Sequence, residues 1–212
     1  MRKRIIRHLN QRSEMLSGIS HDLRTPLTRI KLKLAFIKDK RISEKLSEDV
    51  EEMEKMLNEY LQFASSTSSE KTTNFNLSDL ILLTINKYED QTLKHKIQKN
   101  IFLNGKKNLI VRCLDNIINN AIKYAQNIEI SLSKLNKNLI ILVEDDGPGV
   151  PQEEIENVFK PFYKINKGRG DSKSSVGLGL SIASDVVRSH GGNITLEKSK
   201  LKGLKVKISL PC

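Results

Sequence analysis

At 212 residues the chain has room for one or two domains, and its net charge of +11 invites a nucleic-acid partner. The distribution argues against one: residues 1–40 hold eleven basic side chains against three acidic, residues 41–70 three against eight, and the remaining basic residues lack interleaved aromatics. No apolar run approaches the roughly 18 residues of a membrane span, no apolar stretch follows the basic start as in a signal peptide, and the two cysteines, Cys113 and Cys212, are too few for a disulfide framework.

The first predicted element is a helix from about Leu9 to Ile37, with an apolar stripe at Leu16, Ile19, Leu23, Leu27, Ile30, Leu34 and Ile37. His21 lies two residues from both Ile19 and Leu23, about 200° around the helix, so it faces away from the stripe. An outward imidazole beside an acid, Asp22, is a poor core residue and a plausible nucleophile. Thr25 shares its face, and Pro26 removes a backbone donor.

A turn over 38–43 follows, with Ser43 a candidate N-cap. Leu46, Val50, Met53, Leu57, Tyr60 and Ala64 then form a heptad seam. Two such helices make a hairpin that leaves apolar surface uncovered. A second copy can cover it by forming a four-helix bundle, as can the chain's own second domain.

Residues 65–73 are small, polar and without period, which predicts a linker. The domains are therefore placed at 1–66 and 75–212, with the linker at 67–74. Beyond it a short strand is expected at 75–77, and helices over 78–90, 108–125 and 177–190. Strands are expected at 128–132, 139–143, 194–196 and 204–208, with His95 in a polar loop and His190 closing a helix. This mixture predicts an α/β sandwich with one mixed sheet, and an α+β multidomain chain overall.

The stretch Ser20-His21-Asp22-Leu23-Arg24-Thr25-Pro26-Leu27 resembles the phospho-acceptor box of sensor histidine kinases. Three more of that family's boxes follow in its order. They are Asn116-Ile117-Ile118-Asn119-Asn120-Ala121-Ile122-Lys123-Tyr124, then Asp145-Asp146-Gly147-Pro148-Gly149, then Phe159-Lys160-Pro161-Phe162-Tyr163 with Gly177-Leu178-Gly179-Leu180. The wording of the first box looks most like that of the EnvZ-type osmosensor kinases. Alone, each has a plainer explanation: an acid followed by Gly-Pro-Gly is a common turn, and two asparagines one helical turn apart can cap or bridge.

The resemblance implies a dimerising phosphotransfer domain and an ATP-binding domain of the kind shared with gyrase and the MutL repair proteins. It makes His21 the phosphate acceptor, with Asp22 orienting its ring and Thr25 serving dephosphorylation of a partner. Magnesium falls to Asn120, with Asn116 close by, Lys123 goes to the phosphates and Tyr124 to the base or ribose. Asp145 takes the adenine amine, with Gly147 and Gly149 closing the backbone around it. Phe159 and Phe162 hinge a mobile lid over 164–175, and Gly177, Leu178, Gly179 and Leu180 receive phosphate at a helix start. Ser175 stands where the family usually has a further glycine, which implies a stiffer lid. The expected partners are a second copy and a response-regulator receiver domain, not nucleic acid. The expected location is cytoplasmic, with membrane attachment only through segments outside this sequence.

Overall fold

The computed structural model describes residue 23 and residues 25–37, 39–65, 70–88, 93–165 and 177–212. His8, His21, Asp22 and the expected lid from residue 166 through Ser175 lie outside them. The chain divides into two compact units, Met1–Ser69 with Lys167–Leu178, and Glu70–Asn166 with Gly179–Cys212.

In the first unit, α1 (25–34) and α2 (Lys40–Ser65) form a helical hairpin. Leu27 and Leu34 of α1 bury against Val50 of α2, with Leu57 partly covered, so each helix contributes residues seven apart. Lys31 Nζ reaches Glu54 at 2.6 Å across the hairpin. The turn corrects the expected cap. Asp39, not Ser43, caps α2, its Oδ1 accepting from the Arg41 and Ile42 N–H groups at 3.0 and 3.3 Å. Ser43 Oγ instead donates at 2.9 Å to the Leu34 carbonyl at the end of α1, which also accepts from Ile37 N at 3.1 Å. Leu23, Ile30, Ile37, Leu46 and Met53, all in the expected seams, remain exposed in the single chain.

The second unit opens with β1 (Thr73–Asn76) and α3 (Leu77–Ile85), capped by Asn76 Oδ1. Then come β2 (Leu93–Ile97), β3 (Phe102–Gly105), α4 (Lys107–Tyr124), β4 (Ile128–Leu135), β5 (Asn138–Asp145), α5 (Gly179–Ser189), β6 (Asn193–Lys198) and β7 (Leu204–Pro211). β1 and β3 pair as a small antiparallel ribbon. The main sheet has the order β2-β4-β5-β7-β6 and is mixed, with β2 parallel to β4 and the other pairs antiparallel. α3, α4 and α5 pack side by side and against the sheet. Among the described residues no helix is long and apolar enough to cross a membrane.

Three expectations change. His95 lies in β2, an edge strand, not in a loop. α3 ends at Ile85 and gives way to a 3-10 turn over Asn86–Tyr88, short of the expected residue 90. α5 starts at Gly179, two residues later than expected.

Long-range polar contacts hold α4 in place. Lys106, at its N-cap position, provides no side-chain cap. The Glu70 carboxylate does so from 38 residues away, accepting from Asn108 N at 2.7 Å and Leu109 N at 3.2 Å. His190 Nε2 accepts from Lys106 N at 2.9 Å while Nδ1 lies 2.8 Å from the Val186 carbonyl, which assigns the Nδ1–H tautomer and ties the end of α5 to the start of α4. Cys113 is buried on α4 with Sγ 3.8 Å from the Ala183 carbonyl, and burial pushes its thiol up to about 12.

Candidate nucleotide-binding site

β5 is flanked by β4 and β7, so its sequence buries nearly continuously and delivers Asp145 to the end of a central strand. The side chain is only 5% exposed. Its Oδ1 accepts from Gly147 N at 2.9 Å and Leu204 N at 3.0 Å, and its carbonyl accepts from Gly203 N at 3.1 Å. Among the described residues Oδ2 has no protein partner. One oxygen of this mostly buried carboxylate is thus locked, while the other reaches the surface and can accept from a ligand.

The two expected glycines do different things. A Cβ on Gly147 would meet the Tyr124 carbonyl oxygen at 2.8 Å, so the turn after β5 lies directly on the end of α4. Gly149 takes φ +67°, which glycine adopts without strain. Asp146 fastens the same junction. Its Oδ1 accepts from the Gln126 and Asn127 N–H groups, both at 2.9 Å, and Oδ2 from Asn127 Nδ2 at 2.7 Å. The Asn127 side-chain amide, then the backbone N–H groups, hold its carboxyl below the usual range.

α4 carries the rest of the set. Asn116 and Asn120 are half-buried, one turn apart on one face. Asn116 Nδ2 donates to the Arg112 carbonyl at 2.9 Å, which turns its Oδ1 toward α5, 3.4 Å from where a Gly179 Cβ would stand. The Asn120 side chain makes no hydrogen bond among the described residues. Lys123 Nζ lies 4.9 Å from the centre of the exposed Tyr124 ring. The row from Asn116 to Tyr124 is thus bounded by the start of α5 at one end and the turn after β5 at the other.

The remaining residues are more scattered. Phe159 ends a 3-10 turn, half-buried, and Phe162 is exposed with φ +64°, a strained backbone for a bulky side chain. Tyr163 Oη donates to Glu154 at 2.5 Å. Gly177 has φ +79° and Leu178 is buried, both in the segment grouped with the first unit, while Leu180 is half-buried in α5.

Gly203 is the functional-site residue that the sequence does not announce. A Cβ there would collide with Asp145 Oδ1, the Gly147 nitrogen and the Asp145 carbonyl oxygen. Two of those three are backbone atoms that cannot swing aside. Gly203→Ala is expected to destabilise the second unit by about 3 kcal/mol and to spoil the Asp145 cradle. Urea unfolding and ATP titration of the variant check this; a stable variant with ordinary ATP affinity would refute it.

Residues 105–212 match the family described as histidine kinase-, DNA gyrase B- and HSP90-like ATPase, and residues 11–69 match the His Kinase A (phospho-acceptor) domain. The chain belongs to this ATPase family. Among curated relatives it is 34% identical to sensor histidine kinase GtrS of Pseudomonas aeruginosa, over 100% of this chain and 44% of that protein. It is 30% identical to sensor histidine kinase CpxA of Escherichia coli, over 97% of this chain and 48% of that protein. The chain thus spans about half the length of these sensor kinases. Full-length ShkA, solved in complex with AMPPNP, shares the fold with a TM-score of 0.73 at 18% identity, covering 93% of this chain and 45% of that one.

Proposed function

We propose that the chain is the catalytic portion of a sensor histidine kinase. It binds ATP in the second unit, transfers the γ-phosphoryl group to His21, and passes it on to an aspartate of a response-regulator receiver domain. The observation that carries the reading is Asp145: its Oδ1 is saturated by Gly147 and Leu204, and its Oδ2 is positioned to accept from the adenine amine. Tyr124 then lies at the base end, and Asn120 and Asn116 at the phosphates. The paired asparagine carbonyls suit a magnesium ion that keeps water and phosphate oxygens in its shell, and no cluster of three or more acidic, His or Cys side chains among the described residues offers it an alternative. When bound, that ion neutralises phosphate charge.

The transfer is largely positioning and charge neutralisation. An imidazole nitrogen of His21 forms a bond to the γ-phosphorus. The bond from that phosphorus to the bridging oxygen breaks, and ADP leaves with the electron pair. Asp22 holds the other ring nitrogen and accepts the proton. Phe162, in a strained backbone next to the segment 164–175, fits a hinge for a lid over the nucleotide. Incubation with labelled ATP is expected to leave an acid-labile, base-stable phosphate on the chain. A phosphate stable to acid, or none at all, would refute the assignment.

The wording of the first box supports an EnvZ-type kinase as the finer reading, and a cytoplasmic setting goes with it. We also assign a homodimer. Each hairpin buries Leu27, Leu34 and Val50 internally and leaves Leu23, Ile30, Ile37, Leu46 and Met53 for a second copy. Ile30→Glu is expected to weaken the dimer by about a hundredfold in sedimentation. A variant as dimeric as the parent would place the interface elsewhere. Thr25, exposed on α1, is assigned to positioning a water for dephosphorylation of the regulator. Thr25→Ala is expected to keep autophosphorylation and lose most of the phosphatase rate. Parallel loss of both rates would make its role structural.

A further inference from the structure

Arg112 is left unexplained by the site described so far. It lies on α4 one turn before Asn116 and two before Asn120, on the same face. The residue is half-buried, and its Nε and Nη2 atoms are buried and make no hydrogen bond among the described residues. The nearby acid on the same helix, Asp115, is already engaged by Lys87 Nζ and Tyr88 Oη, both at 3.2 Å. A guanidinium remains charged in essentially every protein setting. Burying two guanidinium nitrogens without partners is costly, so the chain keeps an under-used cation on the helix face that carries Asn116 and Asn120.

We propose that Arg112 grips the terminal phosphate of the bound triphosphate and holds the γ-phosphoryl group at the end of the site from which it departs. This rests on the reading of the site as a nucleotide site. Tyr124 marks the base end of α4, because Gly147 sits on its carbonyl. Asn120, Asn116 and Arg112 follow toward the helix N-terminus in steps of four residues, about 6 Å of rise each. Side chains on a helix lean toward its N-terminus, so the guanidinium extends from Arg112 toward the start of α4, on the side of Asn116 away from the base. The Asn116 side chain holds the Arg112 carbonyl, so the backbone of the arginine is fixed to the residue beside it in the row. A planar fork of donors matches phosphate oxygens, and burial makes each contact stronger than it is in water.

The test is to measure ATP and ADP binding to the full chain by calorimetry with magnesium present, for the parent, Arg112→Gln and Arg112→Lys. ADP lacks the group that Arg112 is assigned to hold. Arg112→Gln is expected to lower ATP affinity about tenfold and to leave ADP affinity where it was. Arg112→Lys should recover part of the loss, being a point charge without the fork. The melting temperature of nucleotide-free Arg112→Gln should not fall, because a guanidinium with two buried nitrogens lacking partners has been removed. Equal loss for ATP and ADP, or an unchanged ratio, would overturn the proposal. If Arg112→Gln does not fold, an unchanged ratio in Arg112→Lys overturns it as well. A parent chain that binds neither nucleotide would refute the nucleotide site itself and this inference with it; a parent that binds both, with a ratio indifferent to Arg112, refutes only the role of the arginine.

Discussion

His21→Gln is expected to abolish phosphate labelling while leaving ATP affinity unchanged. Glutamine keeps a polar side chain that hydrogen-bonds but lacks a nucleophilic ring. The groups assigned to ATP sit on α4 and the turn after β5, and the substitution leaves those residues unchanged. The decisive outcome is complete loss, because the other histidines offer poor acceptors among the described residues. His190 is engaged through both ring nitrogens, with Lys106 N and the Val186 carbonyl. His95 is exposed on the edge strand β2 and is the one rival that the fold leaves accessible there. Labelling that survives in His21→Gln and disappears in a His21→Gln, His95→Gln double variant would move the acceptor to β2 and overturn the assignment.

Asp145→Asn is expected to cost about 2–3 kcal/mol of ATP binding, near a hundredfold, with little loss of stability. The amide oxygen can still accept from Gly147 N and Leu204 N, the two bonds that now hold Oδ1. The amide nitrogen must then take the place of Oδ2, which turns an acceptor for the adenine amine into a donor that faces a donor. Guanine carries a carbonyl where adenine has the amine, so the variant should discriminate less against GTP. Titration with ATP and GTP reads both effects. Undiminished preference for ATP would show that Oδ2 does not touch the base.

What the sequence could reveal depended on how locally each feature is determined. The asparagines of α4 and the acid at the end of β5 stand in short motifs on strongly patterned elements, and period alone places them on a helix face and at a strand end. β2 escaped notice because Leu-Lys-His-Lys-Ile has apolar residues only at its ends, as an edge strand with three exposed central positions permits. The cap of α4 was invisible for a different reason: Glu70 reaches it across the chain, and no local signal marks a cap supplied from 38 residues away. Ser43 shows the opposite error. Its position beside an expected helix start matches the N-cap preference, but α2 begins three residues earlier, at Lys40, where Asp39 caps the Arg41 and Ile42 amides, and the serine, now inside the first turn, turns to the carbonyl of Leu34. Gly203 is one glycine in a polar turn between β6 and β7. Only the approach of Asp145 and Gly147 from another part of the chain makes a side chain there clash.

The two cysteines differ enough to make the protein convenient for site-selective chemistry. Cys113 is buried with a thiol pushed up to about 12, so at neutral pH it offers neither access nor thiolate. Cys212 is exposed at the end of the chain, its N–H bonded to the Lys137 carbonyl at the turn between β4 and β5. A maleimide dye should therefore attach to this 212-residue chain at Cys212 without Cys113 having to be removed, and the labelled chain can report on its own motions by fluorescence.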